Sequence, residues 1–162
     1  MEDIFDTLVM KLVNTHGNEA LQEAAINRAN LFNLTQESYL AAIKPAHVGI
    51  LNHSQRAAIA TRICILNNQQ DAADHYRNLI TIQDDLPMSQ PGAFPETTIL
   101  NIITKHVDLI TLSPQDSTKE TIKELQSAGL NDTQIVEISA VIAFVNYQVR
   151  VIKGLQLIAS IS

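Results

Sequence analysis

A single cysteine in 162 residues excludes an internal disulfide, and with no CxxC present the chain carries no pair of thiols for redox work. Tryptophan is absent and aromatic residues make up only 4%, while alanine, isoleucine and leucine dominate, which favours close-packed helices over a sheet. Basic clusters are missing too. The 11 Lys and Arg are outnumbered by 17 acids, all scattered along the chain, for a net charge of −6 and a pI near 5.2. Such a surface leaves no electrostatic footprint for nucleic acid or anionic lipid, so neither is expected as a partner. No N-terminal stretch combines a basic flank, an apolar run and a small-residue cleavage site, and with the lone cysteine this points to the cytoplasm. The most apolar run, Ile138–Val145, is far shorter than the roughly 20 residues a bilayer requires. Glu137, Asn146 and Arg150 interrupt its surroundings, so no membrane span is predicted. The chain has no Gly-rich phosphate loop, no nucleophile elbow, no internal repeat and no low-complexity tract. The histidines His16, His47, His53, His75 and His106 show no metal-ligand spacing, so neither a metal nor a cofactor is expected.

What is present is a chain with 46% hydrophobic residues, long enough for one packed core and read as one all-α domain over 1–162. Ile4, Leu8, Leu12 and Val13 predict a first helix over Asp3 to Asn14, with Gly17 as its stop. Asn18 can cap a second helix bearing Leu21, Ala24, Ala25, Arg28 and Ala29. Thr35 opens a third, whose buried face is Tyr39, Leu40 and Ile43, and Lys44-Pro45 ends it. Asp84 to Pro95 holds three of the five prolines and reads as the one long loop, of the kind that can serve as a lid. Glu96 to Leu112 is helical again. Ser117 with Glu120 reads as a capping box for a short helix that Gly129 terminates, and Asn131 with Gln134 repeats the logic for a last helix from about Asp132 to Ala159. That helix is apolar nearly all round from Ile135 to Val151, so part of it is expected to pack against another subunit.

The most informative stretch is Asn52 to Ile82. Asn52 or Ser54 caps a helix with Ile59, Ile63 and Leu66 on one face and Arg56, Ala60, Cys64 and Asn67 on the next. Asn67-Asn68 marks a break, and a fresh helix carries Ala72, Tyr76, Leu79 and Ile80, with Asp71 and His75 at i and i+4 along its flank. In a dry site that pair can hold an imidazole in one tautomer for proton transfer; on a surface it is an ordinary helix pair. Cys64, on an Ala-rich helix between two isoleucines, reads as a buried structural thiol, with Arg56 and Arg62 on the same helix as the argument for reactivity. Arg150 and Asn146 lie one turn apart in the most apolar helix, where an unpaired guanidinium is costly. Arg150 is therefore expected to pair with Asp71, Asp74, Asp108 or a carboxylate across a subunit interface, or to bind an anionic ligand. His53 and His106 read as capping or core residues.

Three segments together resemble the carboxymuconolactone decarboxylase and AhpD-type alkylhydroperoxidase superfamily. They are LNHSQRAAIATRICILNN leading to DHYR, then LSPQDSTKETIKELQSAGLNDTQIVEI, then SAVIAFVNYQVRVIKGL with its Asn146-x-x-x-Arg150. The resemblance covers roughly Asp3 to Leu157 and is nearest to a subgroup of CMD-domain proteins of unknown activity. It implies an all-helical fold assembled as a homo-oligomer, a trimer or hexamer. Peroxidase members use a Glu, a Cys-x-x-Cys and a His four residues beyond. Anchored on His75, that pattern falls on Arg56, Asn68 and Asp71, so only the His is kept. Neither Asn nor Asp can replace a thiolate, which rules out the dithiol mechanism. By resemblance alone the chain would read as alkylhydroperoxidase-related.

Two readings follow. One is an oligomeric binding or structural protein without redox chemistry. The other is a non-thiol enzyme, resembling a lactone decarboxylase or acting on a small carboxylate metabolite, with His75 and Asp71 catalytic and Arg56, Arg150 and Asn146 holding the ligand.

Overall fold

The computed structural model describes residues 3–13, 15 and 17–161, and among these there is no strand. The α-helices are, in order, α1 Leu8–Val13, α2 Glu19–Ile26, α3 Ala29–Ile43, α4 His53–Leu66, α5 Gln70–Arg77, α6 Leu86–Ser89, α7 Thr98–Leu112, α8 Lys119–Ser127 and α9 Asp132–Ile161. Short 3-10 turns occur at Ile4–Asp6, Gln83–Asp85 and Pro114–Asp116. The fold is all-α, as the composition predicts.

Helix α4 sits at the centre, packed against α3, α5, α6, α7 and α9. Its Ala57, Ala58 and Ala60 let neighbours approach closely on several sides, and Ile59, Ile63 and Cys64 fill the space between them with no solvent exposure. Helix α9 lies along it and buries Ile135, Ile138, Val141, Ile142, Val145, Val149 and Ile152, an i, i+3/i+4 stripe. Each such side chain contributes about 1.5–3 kcal/mol by leaving water. The opposite side of α9 exposes Val136, Ala140, Ala143, Tyr147, Leu157 and Ile161. By length and composition alone α9 is apolar enough to cross a membrane, unlike the shorter run judged from sequence, and 56% of its most apolar window is buried inside the fold.

The helix ends follow the local chemistry. Asn18 accepts from Leu21 N, and Asn52 with Gln55 forms a reciprocal capping box. Asn131 and Gln134 bond each other's backbone N–H at 2.9 Å. Asn68, at φ +53°, closes α4 in a Schellman turn: Gln69 N donates to the Cys64 carbonyl and Asn68 N to that of Ile65, both at 2.9 Å. Gly129, at φ +100°, does the same for α8, with Leu125 and Leu130 both buried beside it.

Other expectations are corrected. The first helix is interrupted at Thr7, whose extended backbone separates the 3-10 turn from α1 and whose hydroxyl donates to the Ile4 carbonyl at 2.6 Å. Its expected end, Asn14, lies outside the described residues, as does His16. Thr35 does not open a helix: α3 begins at Ala29, and the Thr35 hydroxyl donates back to the Leu31 carbonyl within it. Leu40 is exposed, and the buried face is Thr35, Tyr39 and Ile43. The box before α8 is Thr118 with Thr121 rather than Ser117 with Glu120. Leu79 and Ile80 follow α5 rather than belonging to it.

The segment expected as a free loop is instead packed. Asp85, Met88 and Ser89 are buried, and Arg62 on α4 explains why. This arginine has no solvent exposure. Its Nε and Nη2 donate to the two carboxylate oxygens of Asp108 on α7 at 2.5 and 2.6 Å. Its Nη1 donates to the carbonyls of Gln90 at 2.6 Å and Ala93 at 2.9 Å, with that of Met88 at 3.4 Å. The Phe94 ring stacks over the guanidinium at 5.1 Å. A buried guanidinium has five N–H groups to satisfy, and the carbonyls of this segment satisfy those that Asp108 does not. Replacing Arg62 by Leu strands the acceptors, so Arg62→Leu should lower the unfolding free energy by about 3–5 kcal/mol in urea denaturation. Native-state proteolysis within residues 83–95 should rise in parallel; unchanged cleavage there would separate the segment from the clamp.

Candidate functional site

The residues matched by the resemblance sit on α4, α5 and the turn between them. Arg56 lies in the first turn of α4, nearly buried, and each of its three nitrogens is committed. Nε donates to the Leu51 carbonyl at 3.0 Å, Nη1 to the Ala42 carbonyl at 2.7 Å and Nη2 to Glu137 on α9. Glu137 also accepts from the backbone N–H groups of Ile50 and Leu51 at 3.0 and 3.2 Å. The chain passes so close there that a Cβ on Gly49 would lie 1.9 Å from a Glu137 carboxylate oxygen, which is why glycine stands at that position. Burial lowers the Arg56 pKa, and the Glu137 carboxylate works in the opposite direction. Arg56 and Glu137 line a cavity of about 470 Å³ between α3 and α9, but the guanidinium is spent on the protein rather than on a ligand.

Asp71 and His75 do not pair. Asp71 is exposed, and the partner of the half-buried His75 is Tyr39 of α3, whose hydroxyl lies 3.1 Å from Nε2. The neighbouring Tyr76 presents its ring edge at 5.2 Å and donates its own hydroxyl to Gln148 of α9. Gln148 Nε2 is buried without a partner among the described residues. Burial, followed by the Lys44 ammonium, lowers the His75 pKa, and burial raises those of Tyr39 and Tyr76. At neutral pH the cluster is therefore an uncharged chain of imidazole, phenols and amide, without the ionised acid that would make the imidazole a strong base. Cys64 is fully buried, and burial pushes its thiol up to about 12, so it is protonated at neutral pH and not a nucleophile.

Arg150 is likewise placed differently from expectation. It is exposed, and it donates to the Asn146 carbonyl at 2.8 Å and to the Asn146 side-chain oxygen at 3.3 Å. None of the three expected acids pairs with it: Asp108 holds Arg62, Asp74 lies 2.7 Å from Arg77, and Asp71 faces solvent. Asn146 is buried and structural, accepting from Asn67 at 3.2 Å and donating to the Thr111 hydroxyl at 3.3 Å and the Ile142 carbonyl at 3.1 Å. It thereby joins the end of α4 to α7 and α9. At about 1.5 Å of rise per residue, Arg150 is roughly 20 Å along α9 from the Glu137 that holds Arg56. Of the five expected site residues, Arg56, Asp71, His75 and Arg150 therefore do not converge on one cavity, and Asn146 is committed to the packing of α4, α7 and α9.

The partners of His75 and the clefts lay beyond sequence reasoning, whereas His106 is buried as the sequence reading expected. Tyr39 and Gln148 belong to distant segments, and no local pattern links them to His75. His106 is buried, has no hydrogen-bond partner among the described residues, and lines both a cleft of about 620 Å³ between α7 and α8 and a cavity of about 310 Å³ reaching α9. Burial lowers its pKa. A further cleft, of about 450 Å³, opens between α1, α2, α3 and α9. His75 lines none of these cavities. Among the described residues no three His, Cys, Asp or Glu side chains are grouped as a metal ion would need.

Two consequences can be measured. Gly49→Ala should drive Glu137 off Arg56 and cost about 2–3 kcal/mol in urea unfolding, with a smaller cost in a Glu137→Gln background because the clash and the ion pair share one carboxylate. The second concerns pH. His75 and His106 both have folded pKa values below the ordinary 6.5, so as pH falls the unfolded chain takes up protons first. Their contribution to stability is complete above that value and declines as pH drops through it toward the folded values. The urea midpoint should be lower at about pH 5.5 than at about pH 7.5, and the joint variant His75→Gln with His106→Gln should reduce the difference.

Compared with models of known protein families the chain matches none, and no curated protein matches it either.

Proposed function

We propose that this chain is an oligomeric protein on the carboxymuconolactone decarboxylase and AhpD-like scaffold that works by binding or assembly rather than by thiol chemistry. The observation that carries this reading is the fate of the residues standing where the family's Glu and two cysteines would be. Arg56 is committed to Glu137 and two backbone carbonyls, Asn68 supplies the left-handed residue that ends α4, and Asp71 faces solvent away from His75. Arg56 and Asn68 serve the fold, Asp71 is a solvent-exposed acid in the first turn of α5, and the lone cysteine is buried and protonated. The exposed apolar side of α9, with Val136, Leu157 and Ile161 more than 60% accessible, supports self-association into a trimer or hexamer. A cytoplasmic setting goes with this reading.

One observation favours the second reading, a non-thiol enzyme acting on a small lactone or carboxylate: His75 is half-buried, hydrogen-bonded to Tyr39 and in ring contact with Tyr76, which donates to a Gln148 amide whose Nε2 has no partner among the described residues. In it Tyr39, not Asp71, would position the imidazole. Incubation with peroxide and a dithiol reductant should show no consumption above the uncatalysed rate, and Cys64→Ser should change nothing. A peroxidase rate that disappears in Cys64→Ser would overturn the proposal. Light scattering should give a mass of three or six chains, against which a stable monomer would count.

A further inference from the structure

The cleft between α2, α3 and α9 has a composition that specifies a ligand. Its floor exists because α2 places small Ala20 and Ala24 opposite Val151, Leu155 and Ile158 of α9, leaving about 450 Å³ lined mainly by carbon. Among the described residues no acid lines it, in a chain with net charge −6. Three hydroxyl-bearing residues line it, Thr15, Thr35 and Tyr147, the last two with their oxygens 3.1 Å apart. The Thr35 proton goes to the Leu31 carbonyl, so Tyr147 must donate to Thr35, and the protons of these two hydroxyls are committed within the protein.

The charge available to a ligand belongs to Arg28. Of the five arginines, Arg56, Arg62 and Arg77 hold carboxylates and Arg150 holds the Asn146 oxygens. Arg28 is the remaining one, a solvent-exposed residue whose guanidinium has no protein acceptor among the described residues and which lines the edge of this cleft. The break between α2 and α3 places it there: Asn27 and Arg28 form the two-residue junction, where Arg28 has a non-helical backbone.

We propose that this cleft binds a small amphiphile with one carboxylate and an apolar body, the guanidinium of Arg28 taking the carboxylate through parallel N–H bonds and the alanine-floored trough taking the chain. This goes beyond the self-association reading: α1, α2, α3 and α9 together line the cleft, which shares Tyr147 with the exposed stripe of α9.

The test is calorimetric titration of the full chain with decanoate and with decanol, which share the apolar body and differ in charge. Decanoate should bind at one site per chain, at least about tenfold more tightly than decanol, as a charge-assisted pair allows. Arg28→Gln should bring decanoate down to the affinity of decanol. Ala24→Leu, which fills the trough from an exposed position, should weaken both by about tenfold or more, while circular dichroism shows the fold retained. Equal affinities for the two ligands would overturn the proposal, as would binding that Ala24→Leu leaves intact. Affinity that falls as protein concentration rises would place a second copy in the cleft and also overturn it, whereas a monomer that binds decanoate would refute the self-association reading alone.

Discussion

A guanidinium cut off from water has to find an acceptor for every N–H it carries, and Arg62 in the middle of α4 is such a group. Asp108 meets the fork from α7, and the carbonyls of Gln90 and Ala93 come in from the other side. The requirement places α7 beside α4. It also turns a segment rich in proline, with no long helix of its own, into an ordered strap with buried Met88 and Ser89. Arg56 repeats the arrangement two turns earlier, tying the loop before α4 to α9 through Glu137. Both arginines are positioned by an Ala-rich helix that neighbours approach closely, so the apolar packing that makes α4 central also makes its cations expensive to leave unpaired.

This bears on the functional proposal. A peroxidatic centre needs a thiolate near a cation in a partly open site. Here the cations of α4 are consumed by Glu137 and Asp108, and the single thiol lies between aliphatic side chains that hold it neutral. Of the helix pair that the resemblance associates with chemistry, α4 buries ten of its fourteen residues in this chain. The less committed groups lie elsewhere: His106 in its clefts, the Gln148 amide, and Arg28 at the apolar trough. Ligand recognition depends on groups the fold has not already satisfied, and these are the positions that have some to offer.

Much of the architecture was legible in the sequence because helix boundaries are local events. Asn18, Asn52 and Asn131 announce helix starts, and Asn68 and Gly129 announce stops, each through a hydrogen bond or a left-handed residue that spans only a few positions. Errors came where two local signals competed. Thr35 resembles a cap, yet inside a continuing helix its hydroxyl bonds backward to Leu31; Ser117 resembles a cap, yet Thr118 takes that role. His75 was singled out by a resemblance and by its spacing from Asp71, but its hydrogen-bond partner is Tyr39. The i, i+4 spacing makes Asp71 adjacent along α5, while the imidazole is directed at Tyr39 across the helix pair.

The sequence by itself determined the all-helical class, most helix ends, the buried thiol and the absence of a CxxC pair, since each depends on residue type or on spacing within a turn or two. Tertiary structure alone decided which group each charge meets. The partners of Arg56 and Arg62 are 81 and 46 residues away in sequence, and that of His75 is 36 away. Arg150, expected to be buried and paired, turns to solvent because only one side of α9 meets the core. Helical periodicity says that a face exists; which face is covered, and by which carboxylate, is set by how separate helices pack.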